Sequence, residues 1–548
     1  APFLQAVLSA ARAQLGACSP QHLSNTAWAL ATLKDCASAQ EAARWYVRDL
    51  LAEQERRLAD PALAAEFSRQ HLSNLMWALA TLEQAVDRKL LAQLGAALAE
   101  RAALCNAQEA SNSVWAFAKM GHYCAPLMAA MARETRERIS EFSPQNLANA
   151  VWGVAKLSYR DDALMRAAAE RALSLRGELS LQHVSNLAWA FATLDLREGE
   201  FVRRLVDETV ARLGAGEELN TQQVSNLLWS LSSLNCLDHG VWILFLRQLE
   251  IQGAQPAGLP TEALSQIFQA RLLQTAQHPE QTWELEPALA ACARASWIRS
   301  TRVVTISEFQ REVSRLLAAM GEEHTLEHLS ADELFSMDMA LPEEGLAVEA
   351  DGPRHFTANT LQPLGEMRCR ELLLRARNWT VVSVPFYHWS GAEDDQRRAL
   401  LKGLLDDARA RRSKEAGAAE RGCATDEAGA QGGLAAGAAA ERAGGEREGA
   451  SSQAGADRLV GKGAEGEACE EEEVDALGKL DGGTRAGEEA LGTTQLEREH
   501  ASSGSRALRP EPGDEAATAS PEGWPERRAE GEEKDATQGE HDDGKLVL

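Results

Sequence analysis

The segment SPQHLSNTAWALATLKD, residues 19–35, returns almost unchanged as SRQHLSNLMWALATLEQ from residue 68, and four looser copies follow. Taking the Asn of each copy as a marker gives Asn25, Asn74, Asn112, Asn149, Asn186 and Asn226, with steps of 49, 38, 37, 37 and 40 residues. A period of this length belongs to solenoids built from helix pairs. The longer first step implies an insertion, and LAEQERRLADPALAAE is the stretch that holds it.

Every copy opens on a residue type that favours a helix N-cap: Ser19, Ser68, Asn106, Ser143, Ser180 and Asn220, two of them followed by Pro at the first helical position. Relative to the marker, apolar side chains fall at −2, +1 or +2, +5 and +8, as in Leu23, Ala27, Leu30 and Leu33, or Val184, Leu187, Phe191 and Leu194. That spacing is one stripe of a helix. Between copies, APLMAAMARETRERI from Ala125 and DALMRAAAERALSL from Asp162 supply a second helix. One pair cannot bury its own apolar face, whereas six stacked pairs share a continuous core. From Leu259 the phrase decays, with Gln266 at the Asn position and Gln269 at the Trp position, which reads as a capping repeat.

Downstream, ISEFQREVSRLLAAMG reads as an amphipathic helix and LFSMDMALPEEGLAVEADG as two short strands about a turn at Pro342 to Gly345. A helix through LGEMRCRELLLRAR, a strand TVVSVPF and a closing helix through DDQRRALLKGLLDDARARR follow. The expected chain is mostly α: an α-solenoid over residues 1–275, a small α/β domain over 301–412, and an acidic Ala/Gly/Glu-rich tail over 413–548. The tail has too little apolar surface to offset its ordering entropy and is expected to be disordered.

The net charge of −26 counts against a nucleic-acid partner, because phosphate binding draws on Lys and Arg. Much of that charge lies in the tail, in runs such as Glu470 to Glu473, so the folded part is only moderately acidic. The nine Cys contain no Cys-x-x-Cys pair, which argues against a zinc site or a disulfide framework and fits a reducing compartment. No apolar run approaches the roughly 18 to 20 residues that cross a bilayer, so no membrane partner is expected. The sequence opens at Ala1 without an initiator Met, leaving room for a targeting peptide upstream.

At 100° per residue, the Gln at −4, the marker Asn, the Trp at +3 and the +7 residue share one sector, roughly opposite the apolar stripe. Amides and indoles in a solenoid groove suit single-stranded RNA, where bases stack and offer free edges. Base reading needs a position that differs between repeats, and −3 does: His22, His71, Glu109, Asn146, His183 and Gln223. Lys119 and Lys156 at +7 add local positive charge. The alternative is that Gln, Asn and Trp are packing residues that satisfy inter-repeat turns.

The segment LAVEADGPRHF, then Leu364-Gly365, then RELLLRARNWTVVSVPFYHW to Trp389, resembles the RAP domain in the order of its elements. Helical repeats ahead of a C-terminal RAP domain resemble organellar RNA-processing proteins of the FAST-kinase-domain-like and octotricopeptide kinds. Here SN-x-x-W stands in place of the octotricopeptide Pro-Pro-Pro-Glu-Trp signature. The resemblance implies a mitochondrial or chloroplast protein acting on mRNA or rRNA in processing, stability or maturation. Single-stranded RNA and other ribonucleoprotein components would be its partners. It also implies a restriction-endonuclease-like fold, similar to very-short-patch-repair nucleases.

RNA binding would need no cofactor. Cleavage would need Mg2+ or Mn2+, for which Asp338, Glu349 and Asp351 are the candidate ligands, with His355 as candidate general base. Asp351 stands where such nucleases commonly place Lys, which leaves Arg354 as a candidate for charge stabilisation. Arg368 and Arg370 give the following helix a basic character suited to phosphate. Two further readings stay open: a protein-interaction scaffold that never meets RNA, and a metal-dependent endoribonuclease.

Overall fold

The computed structural model describes residues 2–34, 37–175, 177–302 and 306–415. The acidic tail expected to be disordered lies outside the described residues from 416 onward.

A leading helix α1 (Pro2–Ala13) precedes the first pair, α2 (Pro20–Thr32) and α3 (Ala37–Leu58), and the insertion takes the form of a long α3 followed by a single turn, α4 (Pro61–Ala64). The later pairs are α5 (Arg69–Thr81) with α6 (Arg88–Ala99), α7 (Ala107–Lys119) with α8 (Ala125–Glu137), and α9 (Pro144–Lys156) with α10 (Asp162–Ser174). Then come α11 (Leu181–Thr193) with α12 (Gly199–Gly214), and α13 (Thr221–Ser233) with α14 (His239–Ile251). The decayed copy forms α15 (Thr261–Gln277), and α16 (Pro287–Thr301) follows it.

The first helices of successive pairs pack side by side from α2 to α15. Their starts are fixed locally: Ser19, Ser68, Asn106, Ser143, Ser180 and Asn220 each accept from the backbone N–H three residues on. A cap of this kind contributes about 1 kcal/mol. The stripe is the core, with Leu23, Ala27, Val184, Leu187, Phe191 and Leu194 all fully buried. Leu33 is the exception, 47% exposed where it closes the first repeat. The capping copy continues the ladder by substitution: Gln269 accepts from Trp229 Nε1 at 2.8 Å, and Gln266 donates to Asn226 Oδ1 at 3.1 Å.

The second part is built from α17 (Glu308–Ala319), β1 (Thr325–Leu329), β2 (Ser336–Leu341), β3 (Leu346–Asp351), α18 (Gly365–Arg375), β4 (Thr380–Pro385), a turn α19 (Phe386–Trp389) and a helix α20 over residues 394–415. The strands lie in the order β1-β2-β3-β4; β1, β2 and β3 pair antiparallel, and β3 with β4 parallel across the α18 connection. One face of the sheet carries Met339, Leu341, Leu346, Val348, Val382 and Val384, packed with Val313 and Leu317 of α17 and Leu401, Leu405 and Ala408 of α20.

The alternate residues of β3, Ala347, Glu349 and Asp351, face the other way, as the period of two in a strand requires. That side receives α18. Cys369, Leu373 and Leu374 of α18 belong to the same buried cluster as the repeats, so one core runs from the solenoid into the α/β part. The junction is also tied by Trp297 Nε1, which donates to the Leu334 carbonyl at 2.8 Å.

Candidate nucleic-acid interface

Helix periodicity places Gln, Asn and Trp of each repeat in one sector, and that sector is a partly accessible strip. Gln21, Gln70, Gln108 and Gln222 are exposed, as is Trp28; Trp77, Trp115, Trp152 and Trp189 are half-buried, and Trp229 is buried. The rings of Trp28 and Trp77 lie 6.5 Å apart, and those of Trp152 and Trp189 6.3 Å apart. The amides also bind one another: Gln145 donates to Asn149, Gln182 to Asn186, and Gln223 to Gln182.

The −3 residues do not hang free in this strip. The Nδ1 atoms of His22, His71 and His183, Oε2 of Glu109 and Oε1 of Gln223 accept the N–H of their own N-cap residue, closing capping boxes. Asn146 instead donates to Ser111 Oγ at 3.1 Å. The variation that resembled a base code is a set of side chains sharing one ability, to accept a hydrogen bond at N3. Burial holds the His71 and His183 pKa values below the ordinary histidine range, with Arg212 adding to the effect at His183, which keeps Nδ1 an acceptor at neutral pH. Glu109 is additionally ion-paired with Arg69 at 2.8 Å.

At +7, Lys119 pairs with Glu83 at 3.2 Å. Lys156 is half-buried, and burial first, then the charge of Lys119, holds its pKa below the ordinary lysine range. The remaining +7 residues run from exposed Thr32 through half-buried Thr81 and Thr193 to buried Ser233. Ser233 meets Cys369 of α18 at 2.7 Å, so there the strip is sealed by the α/β part.

Where α9 ends, the strip opens into a cavity of about 1750 Å3 lined from both parts of the molecule: Lys156 on one side and Asp338, Glu349, Asp351, Arg354, His355 and Arg370 on the other. The three candidate acids do come together on β2 and β3. Arg370 donates to both oxygens of Glu349, at 3.0 Å each from Nη2, and its Nη2 also donates to the Ser336 carbonyl. Asp338 accepts from Ala350 N–H at 2.9 Å, and Asp351 accepts from the Ser383 hydroxyl. Burial, reinforced by Glu349, pushes Asp338 up to about 7. Asp351 also rises to about 7 through burial, despite the Ser383 hydrogen bond. His355, in the turn Pro353–His355, is held below the ordinary histidine value by burial and by Arg370 and Arg354.

These residues do not fit a divalent metal. Mg2+ or Mn2+ takes several hard oxygen ligands in an open arrangement. Here both Glu349 oxygens are engaged by a guanidinium, and among the described residues no three His, Cys, Asp or Glu side chains are grouped to hold a metal.

Arg354 and Arg368 are exposed on the cavity wall, Arg368 within 3.7 Å of Asp195 and Glu371. Glu366 was not among the candidates from sequence. It lines the cavity, its Oε1 is out of solvent without a hydrogen-bond partner, and burial pushes its carboxyl up to about 7. Its only sequence signal was its place directly after Leu364-Gly365.

Comparison with known proteins agrees with this division. Residues 348–404 match the RAP domain. The chain carries a RAP domain behind helical repeats. Residues 62–251, which span the repeats from α5 to α14, match the family described as RNA-editing substrate-binding complex 6 protein. A RAP domain-containing protein, chloroplastic, from Oryza sativa subsp. japonica is 34% identical over 100 residues, which is 18% of this chain and 15% of that protein. The match thus spans under a sixth of that relative's length. No described helix is long and apolar enough to cross a membrane.

Proposed function

We propose that the chain is an RNA-binding protein of an organelle that takes single-stranded RNA along the amide and indole strip of the repeats and into the cavity beside the RAP domain. mRNA or rRNA of a mitochondrion or chloroplast, with other ribonucleoprotein components, would be its setting. The RNA-editing and RAP family matches support an RNA-related role. The name of the rice relative supports an organellar one.

The observation that carries the reading is Lys156. It is a half-buried cation whose pKa is depressed by burial and by Lys119, with no ion-pair partner among the described residues, on a cavity it shares with Arg354 and Arg368 of the other part. Such a charge gains most from an incoming anion, and a phosphodiester supplies one while the half-buried indoles offer faces for bases.

The test is a titration of a fluorescent single-stranded RNA with the full chain at several salt concentrations. Binding should weaken as salt rises, and Lys156→Ala and Arg354→Ala should each flatten the logarithmic salt slope by about 0.7. A chain that ignores RNA at low salt, or one whose slope is untouched by both variants, refutes the proposal and favours a protein-binding groove.

A further inference from the structure

We propose that Arg370 is the resident cation of the RAP carboxylate cluster, a built-in replacement for a metal ion, so that the RAP domain engages RNA without divalent-metal cleavage. The inference rests on the RAP reading of residues 348–404 and goes beyond RNA binding.

Three carboxylates on adjoining strands, buried or nearly so, need a positive charge among them. Glu349 and Asp351 are each 7% exposed. A hydrated divalent ion is one solution, and a guanidinium is another: it is planar, always charged and able to bond two carboxylate oxygens at once. Arg370 meets that description. It engages both oxygens of Glu349 and adds the Ser336 carbonyl as a further acceptor. Its charge also acts on Asp338 and Asp351. The two flanking acids are each held by a neutral donor, the Ala350 N–H and the Ser383 hydroxyl, and feel the guanidinium through its charge rather than through a hydrogen bond.

The helix that carries Arg370 has no freedom to swing away. Cys369, one residue earlier, is buried against Ser233 of the last full repeat, and Gly365 lies against the end of α11. α18 is thus held in place, and a metal could enter only if the Arg370 side chain gave up its bonds to Glu349 and to the Ser336 carbonyl.

The test uses Mn2+ and the full chain. Electron paramagnetic resonance should show the same Mn2+ occupancy for the wild type and for Glu349→Gln, any bound ion belonging elsewhere on this acidic chain. Arg370→Met, which empties the cation position, should bind one further Mn2+ at least tenfold more tightly than the wild type, and Mn2+ should raise its melting temperature. A stoichiometric Mn2+ in the wild type that disappears in Glu349→Gln overturns the proposal, as does Mn2+-dependent RNA cleavage lost in that variant. The wild-type comparison decides the matter even where Arg370→Met fails to fold, and RNA binding measured on the same samples tells failure here from failure of the RNA reading.

Discussion

Gly365 at the start of α18 lies against the carbonyl oxygen of Ala192 near the end of α11, so close that a Cβ at residue 365 would overlap that oxygen. The Leu-Gly pair of the RAP segment thus has a packing cause in this chain: it lets one helix start rest on the end of another. Nearby, the Ala358 N–H donates to the Ser158 carbonyl at 2.7 Å, and Asn359 exchanges two hydrogen bonds with the Arg160 backbone. Gly365→Ala should lower stability by about 1–3 kcal/mol through overpacking and speed hydrogen exchange in α18 and the end of α11. Gly403 in α20 has open space around it, so Gly403→Ala should stabilise by about 0.5–1 kcal/mol in the same denaturation series.

The six Trp residues divide by exposure, and the division predicts two kinds of mutant. Trp229 is buried and donates to Gln269, itself 3% exposed, so Trp229→Phe strands a buried amide oxygen and should cost about 1–3 kcal/mol of stability. Trp28 is 38% exposed at the open end of the strip. If it stacks on a base, Trp28→Ala should weaken RNA binding by about 1–3 kcal/mol, beside a smaller stability loss of about 0.5–1.5 kcal/mol from its contact with Trp77. Anisotropy and calorimetry on both variants separate the two roles.

Glu109 joins a capping box to an ion pair with Arg69 of the preceding repeat. Glu109→Ala should cost about 0.5–1.5 kcal/mol of stability from the lost hydrogen bond to the Asn106 N–H alone. Swapping the −3 residue between repeats, as in Glu109→His, should leave the preference among homopolymeric RNAs unchanged. A shift in base preference on that swap would restore the base-reading role that the caps argue against.

The solenoid was legible in the sequence because its determinants are local: caps, a stripe and a step near 38 residues all lie within one repeat or its neighbour. The strand β1 was not, since TLEHL carries Glu327 and His328 and owes its conformation to pairing with β2. Arg370 was legible as a basic residue on a helix, but periodicity within α18 does not say which side meets the sheet. Only the tertiary arrangement turns it toward Glu349, where it stays partly exposed on the cavity wall. Glu366 was hidden for the same reason, its burial being set by elements distant in sequence. The −3 residues read as a variable code in the sequence because His, Glu and Gln differ as letters, whereas the caps use only the acceptor they share.

Glu366 offers a test in which the sign of the pH dependence is fixed. Burial raises its carboxyl from the ordinary 4.5 to about 7, so the folded chain holds that proton more tightly than the unfolded one. The stabilisation linked to the proton is complete below pH 4.5 and is lost as pH climbs through about 7, where the cleft must accommodate a carboxylate with an unpartnered oxygen. Glu366→Gln keeps the shape and removes the charge. Near pH 4.5 the variant should match the wild type, and at pH 8 it should be the more stable by roughly 1–3 kcal/mol, the penalty of an unsatisfied buried group. Asp338 and Asp351 titrate in the same window and are unchanged by the substitution, so the wild type and the variant should both lose stability with rising pH, the variant less steeply. Parallel pH profiles in urea denaturation would mean that Glu366 reaches solvent or a partner when ionised, and its place as a buried wall of the cavity would have to be given up.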